Sequence, residues 1–114
     1  MNLKDIILAS ADIPAPQKVC VKEWGTDVYI KHMSGSERDK WEADAFEAGK
    51  VTRQDFRARY LVHCLVDEKG EAIFSAEDIP ALGSKSGKVI DRLYSRAQKI
   101  NALSKEDEDE ILKN

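Results

Sequence analysis

The sequence predicts an α+β fold: a single small domain with an N-terminal β-hairpin and a mostly helical remainder of about four to six helices. Three observations carry this. At 114 residues the chain has room for one core. Between Gln17 and Met33 apolar and polar residues alternate. From Ser34 onward the apolar residues recur at helical spacing, punctuated by Ser, Thr and Gly at cap positions.

Asn2 to Ser10 reads as a short helix, with Leu3, Ile6, Ile7 and Ser10 at helical spacing. Pro14 and Pro16 prevent its continuation. In the hairpin, Gly25-Thr26 fits a two-residue turn with Gly at the position that needs positive φ. That turn sets Trp24 opposite Asp27, Glu23 opposite Val28, Val21 opposite Ile30 and Val19 opposite His32. Val19, Val21, Val28 and Ile30 then share one apolar face. Cys20, Lys22, Trp24, Tyr29 and Lys31 occupy the other, half-solvated face.

Ser34 and Glu37 have the spacing of a capping box, so a helix starts there. Its apolar stripe is Trp41, Ala45 and Ala48, its ion pairs are Arg38/Glu42 and Lys40/Asp44, and Gly49 stops it. Thr52 is expected to cap the next helix, which carries Phe56, Tyr60, Leu61, Cys64 and Leu65. Tyr60 to Val66 is apolar nearly all round and forms the centre of the core; periodicity alone leaves helix and strand open there. Asp67 to Gly70 turns into a short strand, Ala72 to Phe74. Ser75 and Asp78 cap a one-turn helix that Leu82-Gly83 ends. Ser84 or Ser86 opens the last long helix, with Val89, Leu93, Ala97 and Ile100 on one face and Ile90 and Tyr94 beside it. Residues 1–104 read as the domain, and 105–114 as an acidic tail or a final short helix.

Charge and composition exclude several function classes. Of 18 cationic and 21 acidic side chains, two and five lie in 105–114, so the rest of the chain balances. Without a basic excess to neutralise phosphates, no nucleic-acid partner is expected. Apolar runs such as Ile6 to Ala9 are too short to span a bilayer, and Lys4 and Asp5 interrupt any signal-peptide core. No membrane partner and no export are expected.

No constellation carries chemistry. Cys20, His32, His63 and Cys64 include the residue types of a zinc site, but not its short paired spacings. As adjacent helical residues, His63 and Cys64 point about 100° apart. Core cysteine and surface histidine are the better reading, with no metal and no cofactor. The serines cluster at helix starts, where capping accounts for them, so no enzyme is expected. Glu106 to Glu110 lack the alternating ligands and central Gly of a calcium loop. Arg53, Arg57 and Arg59 beside Phe56 and Tyr60 read as a solvated helix face. What remains is apolar surplus: Ile6, Ile7, Leu8, Trp24, Trp41, Tyr94, Ile111 and Leu112 exceed the needs of one small core.

The order and spacing of several segments resemble one family. They are Leu3 to Ala9, Glu23-Trp24-Gly25, Ser34 to Trp41, and above all Arg57 to Gly70, continuing through Ile73-Phe74, Glu77-Asp78, Leu82-Gly83 and Arg92-Leu93 to Leu103. The chain resembles the tail assembly chaperones of siphophages and related prophages. The resemblance implies a non-enzymatic protein of the bacterial host cytoplasm, absent from the mature virion. Such a protein binds the tape measure protein, keeps it soluble and is displaced as the tail tube polymerises. It also implies a longer, frameshifted form that recruits tail tube protein. Codons for Lys113-Asn114 can form a slippery site, so such an extension is expected there. A weak homo-oligomer is compatible with the same role. The client-binding residues expected are Leu93, Tyr94, Ala97 and Ile100, as a helix-on-helix contact. A head–tail connector or other small virion protein and a host regulatory protein-binding module are the alternatives.

Overall fold

The computed structural model describes residues 2–47, 50–51 and 54–101. The fold is α+β, as the patterning predicts: a three-stranded antiparallel sheet and, among the described residues, five α-helices. Helix α1 (Leu3–Ala9) precedes the hairpin strands β1 (Gln17–Val21) and β2 (Thr26–Ile30). Next come α2 (Gly35–Ala45), the two-residue strands β3 (Phe46–Glu47) and β4 (Lys50–Val51), and α3 (Phe56–Cys64). Strand β5 (Leu65–Val66), α4 (Ile79–Gly83) and α5 (Gly87–Asn101) complete the described residues.

The hairpin has the expected face but a different register. Lys22–Trp24 form a 3₁₀ turn, and Gly25 leaves it in the left-handed region at φ 67°, its N–H donating to the Lys22 carbonyl at 3.1 Å. Thr26 therefore opens β2 instead of sitting in the turn, and Val19 faces Val28 while Val21 faces Thr26. The pairing differs from the two-residue-turn register by four residues. Four is even, so every side chain still paired in the strands keeps its face. Val21, Val28 and Ile30 are buried accordingly. Trp24, which a two-residue turn would place on the solvated face, packs instead against the core from within the 3₁₀ turn.

The capping box at α2 forms as its spacing predicts. Ser34 Oγ accepts from the Glu37 N–H at 3.2 Å, and Glu37 Oε1 accepts from the Ser34 N–H at 2.9 Å. The helix ends at Ala45, earlier than expected, because Phe46 and Glu47 turn extended and pair with Val51 and Lys50. Of the expected stripe, stop and cap, Ala48, Gly49 and Thr52 lie outside the described residues. Arg38 meets Glu42 at 3.9 Å as expected, whereas Asp44 turns to Arg59 and His63 on α3.

Both readings of Tyr60 to Val66 hold in part. Helix α3 runs to Cys64, and Leu65-Val66 then pair with Ile30 and Tyr29 to form the third strand. The expected strand at Ala72 to Phe74 reduces to a single bridge, Ala72 to Val66, because β5 offers only two residues to pair with. The turn before it is tied by Asp67, whose Oδ1 accepts the N–H groups of Lys69 and Glu71 at 2.9 and 3.0 Å. Ser75 and Asp78 form the second capping box.

The core lies between the sheet, α3 and α5. Leu61, Cys64, Leu65, Leu93 and Ala97 are fully inaccessible. Edge-on aromatic contacts join three helices: Trp41 of α2 meets Tyr60 of α3 at 4.9 Å between centroids, and Tyr60 meets Tyr94 of α5 at 5.4 Å. The far end of α5 is latched by Asn101. Its side chain accepts from the Met33 N–H at 2.8 Å and donates to the Lys31 carbonyl at 3.0 Å. Its carbonyl accepts from Arg38 at 2.7 Å. At the hairpin end, Arg92 clamps Glu23 with two bonds of 2.7 and 3.0 Å.

Three outcomes follow. Leu93→Ala removes the largest fully buried side chain of α5 and is expected to cost about 2–5 kcal/mol in urea unfolding. Asn101→Ala strands the Met33 N–H and the Lys31 carbonyl and is expected to cost about 1–3 kcal/mol in the same assay. The Arg92 guanidinium holds the Glu23 carboxyl down at about 2, from an ordinary 4.5. A depressed carboxyl stabilises the fold above its unfolded value, and that contribution is lost as the pH falls toward the folded one. The hairpin-to-α5 clamp should therefore weaken between about pH 4.5 and 2, read as the loss of the Arg92 side-chain NMR signature. The Arg92→Gln variant should show no such transition at this site.

Candidate interaction surfaces

The apolar surplus seen in the sequence divides in two. Trp24, Trp41 and Tyr94 pack against the core. Ile6, Ile7 and Leu8 do not: they are 52%, 60% and 74% exposed, and Leu3 is 70% exposed. No residue of α1 is buried. Ile111 and Leu112 lie outside the described residues.

Local sequence builds α1 as a freestanding element. Asn2 caps it, its Oδ1 accepting from the Asp5 N–H at 2.9 Å. Ser10 closes it with an N–H bond to the Ile7 carbonyl at 3.1 Å. Pro14 and Pro16 then hold the connection to β1 away from helical geometry. Ile13 in that connection is 51% exposed. A seven-residue helix is marginal in water without tertiary packing. The aliphatic side chains of α1 are thus presented on an arm that the described part of the domain does not cover.

The residues expected on α5 as a client contact are two buried and two half-buried side chains. Leu93 and Ala97 are fully buried. Tyr94 is half-buried against Phe56 and Tyr60, and Ile100 is half-buried against the core. The four lie on one helix face, but that face is the one the domain uses to pack.

The remaining chemical candidates disperse. Cys20 is exposed on β1 and Cys64 is buried in α3, both as free thiols. Burial pushes the Cys64 thiol up to about 12, so it is not a thiolate at neutral pH. His63 Nε2 lies 3.0 Å from Asp44, and His32 is half-buried beyond the end of β2. Among the described residues no group of three His, Cys, Asp or Glu is placed to hold a metal ion. Nor is any described helix long and apolar enough to cross a membrane. Arg57 bonds Asp91 at 2.7 Å and stacks over Tyr94 at 5.5 Å, while Arg59 turns to Asp44 at 3.7 Å. The basic cluster is consequently split between separate partners, and Arg53 lies outside the described residues.

Ile6, Ile7 and Leu8 belong to the apolar surplus of the sequence, and their spacing alone does not set them apart from the last helix. A signal was available in the two prolines, which separate α1 from everything that follows.

Comparison with known proteins places this arrangement. A family model described as phage tail assembly chaperone matches residues 2–113. No curated protein sequence matches significantly. Among solved structures, the fold is similar to that titled "Structure of bacteriophage HK97 tail assembly chaperone", with a TM-score of 0.61 and 21% identity. That similarity covers 90% of this chain and 95% of the other. At such identity the structural likeness speaks for the fold, and the family match over nearly the whole chain speaks for kinship: the chain belongs to the phage tail assembly chaperone family.

Proposed function

We propose that the protein binds the tape measure protein in the cytoplasm of the bacterial host, keeps it soluble, and is displaced as the tail tube polymerises, so that it is absent from the mature virion. The observation that carries this reading is the uncovered aliphatic arm, Leu3 to Leu8, in a member of a tail assembly chaperone family.

The physics of α1 suits a transient hold. Fully burying an aliphatic side chain is worth about 1.5–3 kcal/mol, and α1 offers Leu3, Ile6, Ile7 and Leu8. Ordering the short helix on contact opposes part of that gain. Each hold is then weak enough to be reversed by an arriving tube subunit, while many copies along one client raise the total. The α5 residues have a secondary place in this reading. Tyr94 and Ile100 retain some accessible surface, whereas Leu93 and Ala97 act by holding the fold.

Coexpression with the tape measure protein of the same genome tests the reading. The soluble client fraction is expected to rise, and no rise overturns the proposal. A triple variant, Ile6→Ser, Ile7→Ser and Leu8→Ser, is expected to leave unfolding stability within about 0.5 kcal/mol per site, because these positions are exposed. Client retained on a pull-down should fall at least about tenfold, equivalent to about 1.4 kcal/mol. Undiminished retention would place the client surface elsewhere.

A further inference from the structure

Strand β2 is paired along its whole length on one side and only in part on the other. Against β1 it pairs from Thr26 to Ile30, whereas β5 reaches only Tyr29 and Ile30. The chain leaves β5 in the turn Asp67 to Gly70, where the Gly70 N–H donates to the Asp67 carbonyl at 2.9 Å, so Glu68 does not pair with Asp27. The Lys31 N–H donates to the Cys64 carbonyl at 2.9 Å. Main-chain groups of alternate strand residues point the same way, so those of Tyr29 and Asp27 face that side too. Asp27 is the first of them that β5 leaves unpaired; its carbonyl takes the Thr26 hydroxyl at 3.1 Å and keeps a second lone pair. A groove of about 460 Å³ opens there, between Thr26 to Tyr29 and Val66 to Glu68, with Ile73 at its side. Ile73 is 42% exposed and the Tyr29 ring half-buried. The charged side chains lining the groove, among the described residues, are three carboxylates, Asp27, Asp67 and Glu68. Lys18 reaches Asp27 from β1 at 3.4 Å, and Asp67 Oδ1 is taken by the Lys69 and Glu71 amides.

We propose that this groove takes an extended segment of a partner protein in which basic and apolar residues alternate, added to β2 in the lane that β5 leaves open. Backbone geometry is the first argument. An incoming residue opposite Asp27 exchanges two main-chain hydrogen bonds with it and so continues the ladder beyond Tyr29 and Val66. Side-chain direction is the second. Directly opposed residues share a face, so the side chain of that residue lies beside the Asp27 carboxylate, where lysine or arginine fits. Its two neighbours point to the opposite face, that of Val28, and are apolar. Charge is the third. The carboxylates at Asp27, Asp67 and Glu68 favour a cationic segment, and they disfavour a second copy of β2, whose two-fold pairing here would set Asp27 against Asp27. Exposed ion pairs are individually weak, so the main-chain bonds fix the pose and the charges select the partner. No residue of α1 lines this groove, and the inference does not rest on the client reading given above.

The test is an NMR titration of the full, isotope-enriched chain with a capped pentapeptide, Val-Lys-Val-Lys-Val. The amide resonances of Thr26 to Val28 and of Asp67 and Glu68 are expected to shift. Hydrogen exchange at the Asp27 amide should slow at least about tenfold at saturation, because strand addition takes that N–H out of water. A contact between side chains alone would leave it open to exchange. The same peptide N-methylated at its lysines lacks the donor to the Asp27 carbonyl and should not bind. Nor should a peptide with glutamate in place of lysine. In Asp27→Asn/Glu68→Gln, whose amide dispersion confirms an intact fold, the dissociation constant should rise about threefold or more, the scale of exposed ion pairs. Absence of shifts on β2, unslowed exchange at Asp27, or equal binding of the glutamate peptide overturns the proposal. So do shifts confined to Leu3 to Leu8, since the peptide would then be adhering to the aliphatic arm.

Discussion

Burial of one stripe of α5 is the constraint on which the rest of the structure depends. Val89, Leu93 and Ala97 are almost wholly inaccessible, and they face the sheet and α3 together. The hairpin curls so that Val21 and Ile30 close on that stripe, and α3 lies along it with Leu61 and Cys64. Polar groups tie the same helix at two places, in its N-terminal half and at its last residue. Arg92 holds the hairpin turn through Glu23, and Asn101 holds the segment between β2 and α2.

The molecule thereby separates two kinds of hydrophobic residue. One kind packs among α3, α5 and the sheet, where most of it is buried. The other kind sits on α1, beyond two prolines, where no described part of the domain covers it. In the function proposed above, this division would let the chain offer apolar surface while the domain stays folded.

Much of the fold was legible because it is built from local chemistry. Ser34 with Glu37 and Ser75 with Asp78 satisfy their own helix ends within four residues, so spacing alone reveals them. The buried face of the hairpin was legible for a similar reason: alternation has a period of two, and an even slip leaves it unchanged. The register itself was not. Trp24 is drawn inward to the core, which favours a 3₁₀ turn at Lys22–Trp24 over a two-residue turn at Gly25-Thr26. No neighbour in sequence signals that pull.

By itself, then, the sequence determined the α+β class, the helix starts, the apolar stripe of α5 and the absence of a recognisable catalytic pattern. Each follows from periodicity or from groups within a few residues of one another. Only the tertiary structure decided that Leu65-Val66 would pair with Tyr29 and Ile30, and that Asn101 would bond Lys31 and Met33 some 70 positions away. It also decided that Leu93 and Ala97 would be core and Leu3 to Leu8 would be surface. Both segments are apolar at helical spacing. Which of them the domain covers depends on what the chain folds against each, and that is a property of long-range packing alone.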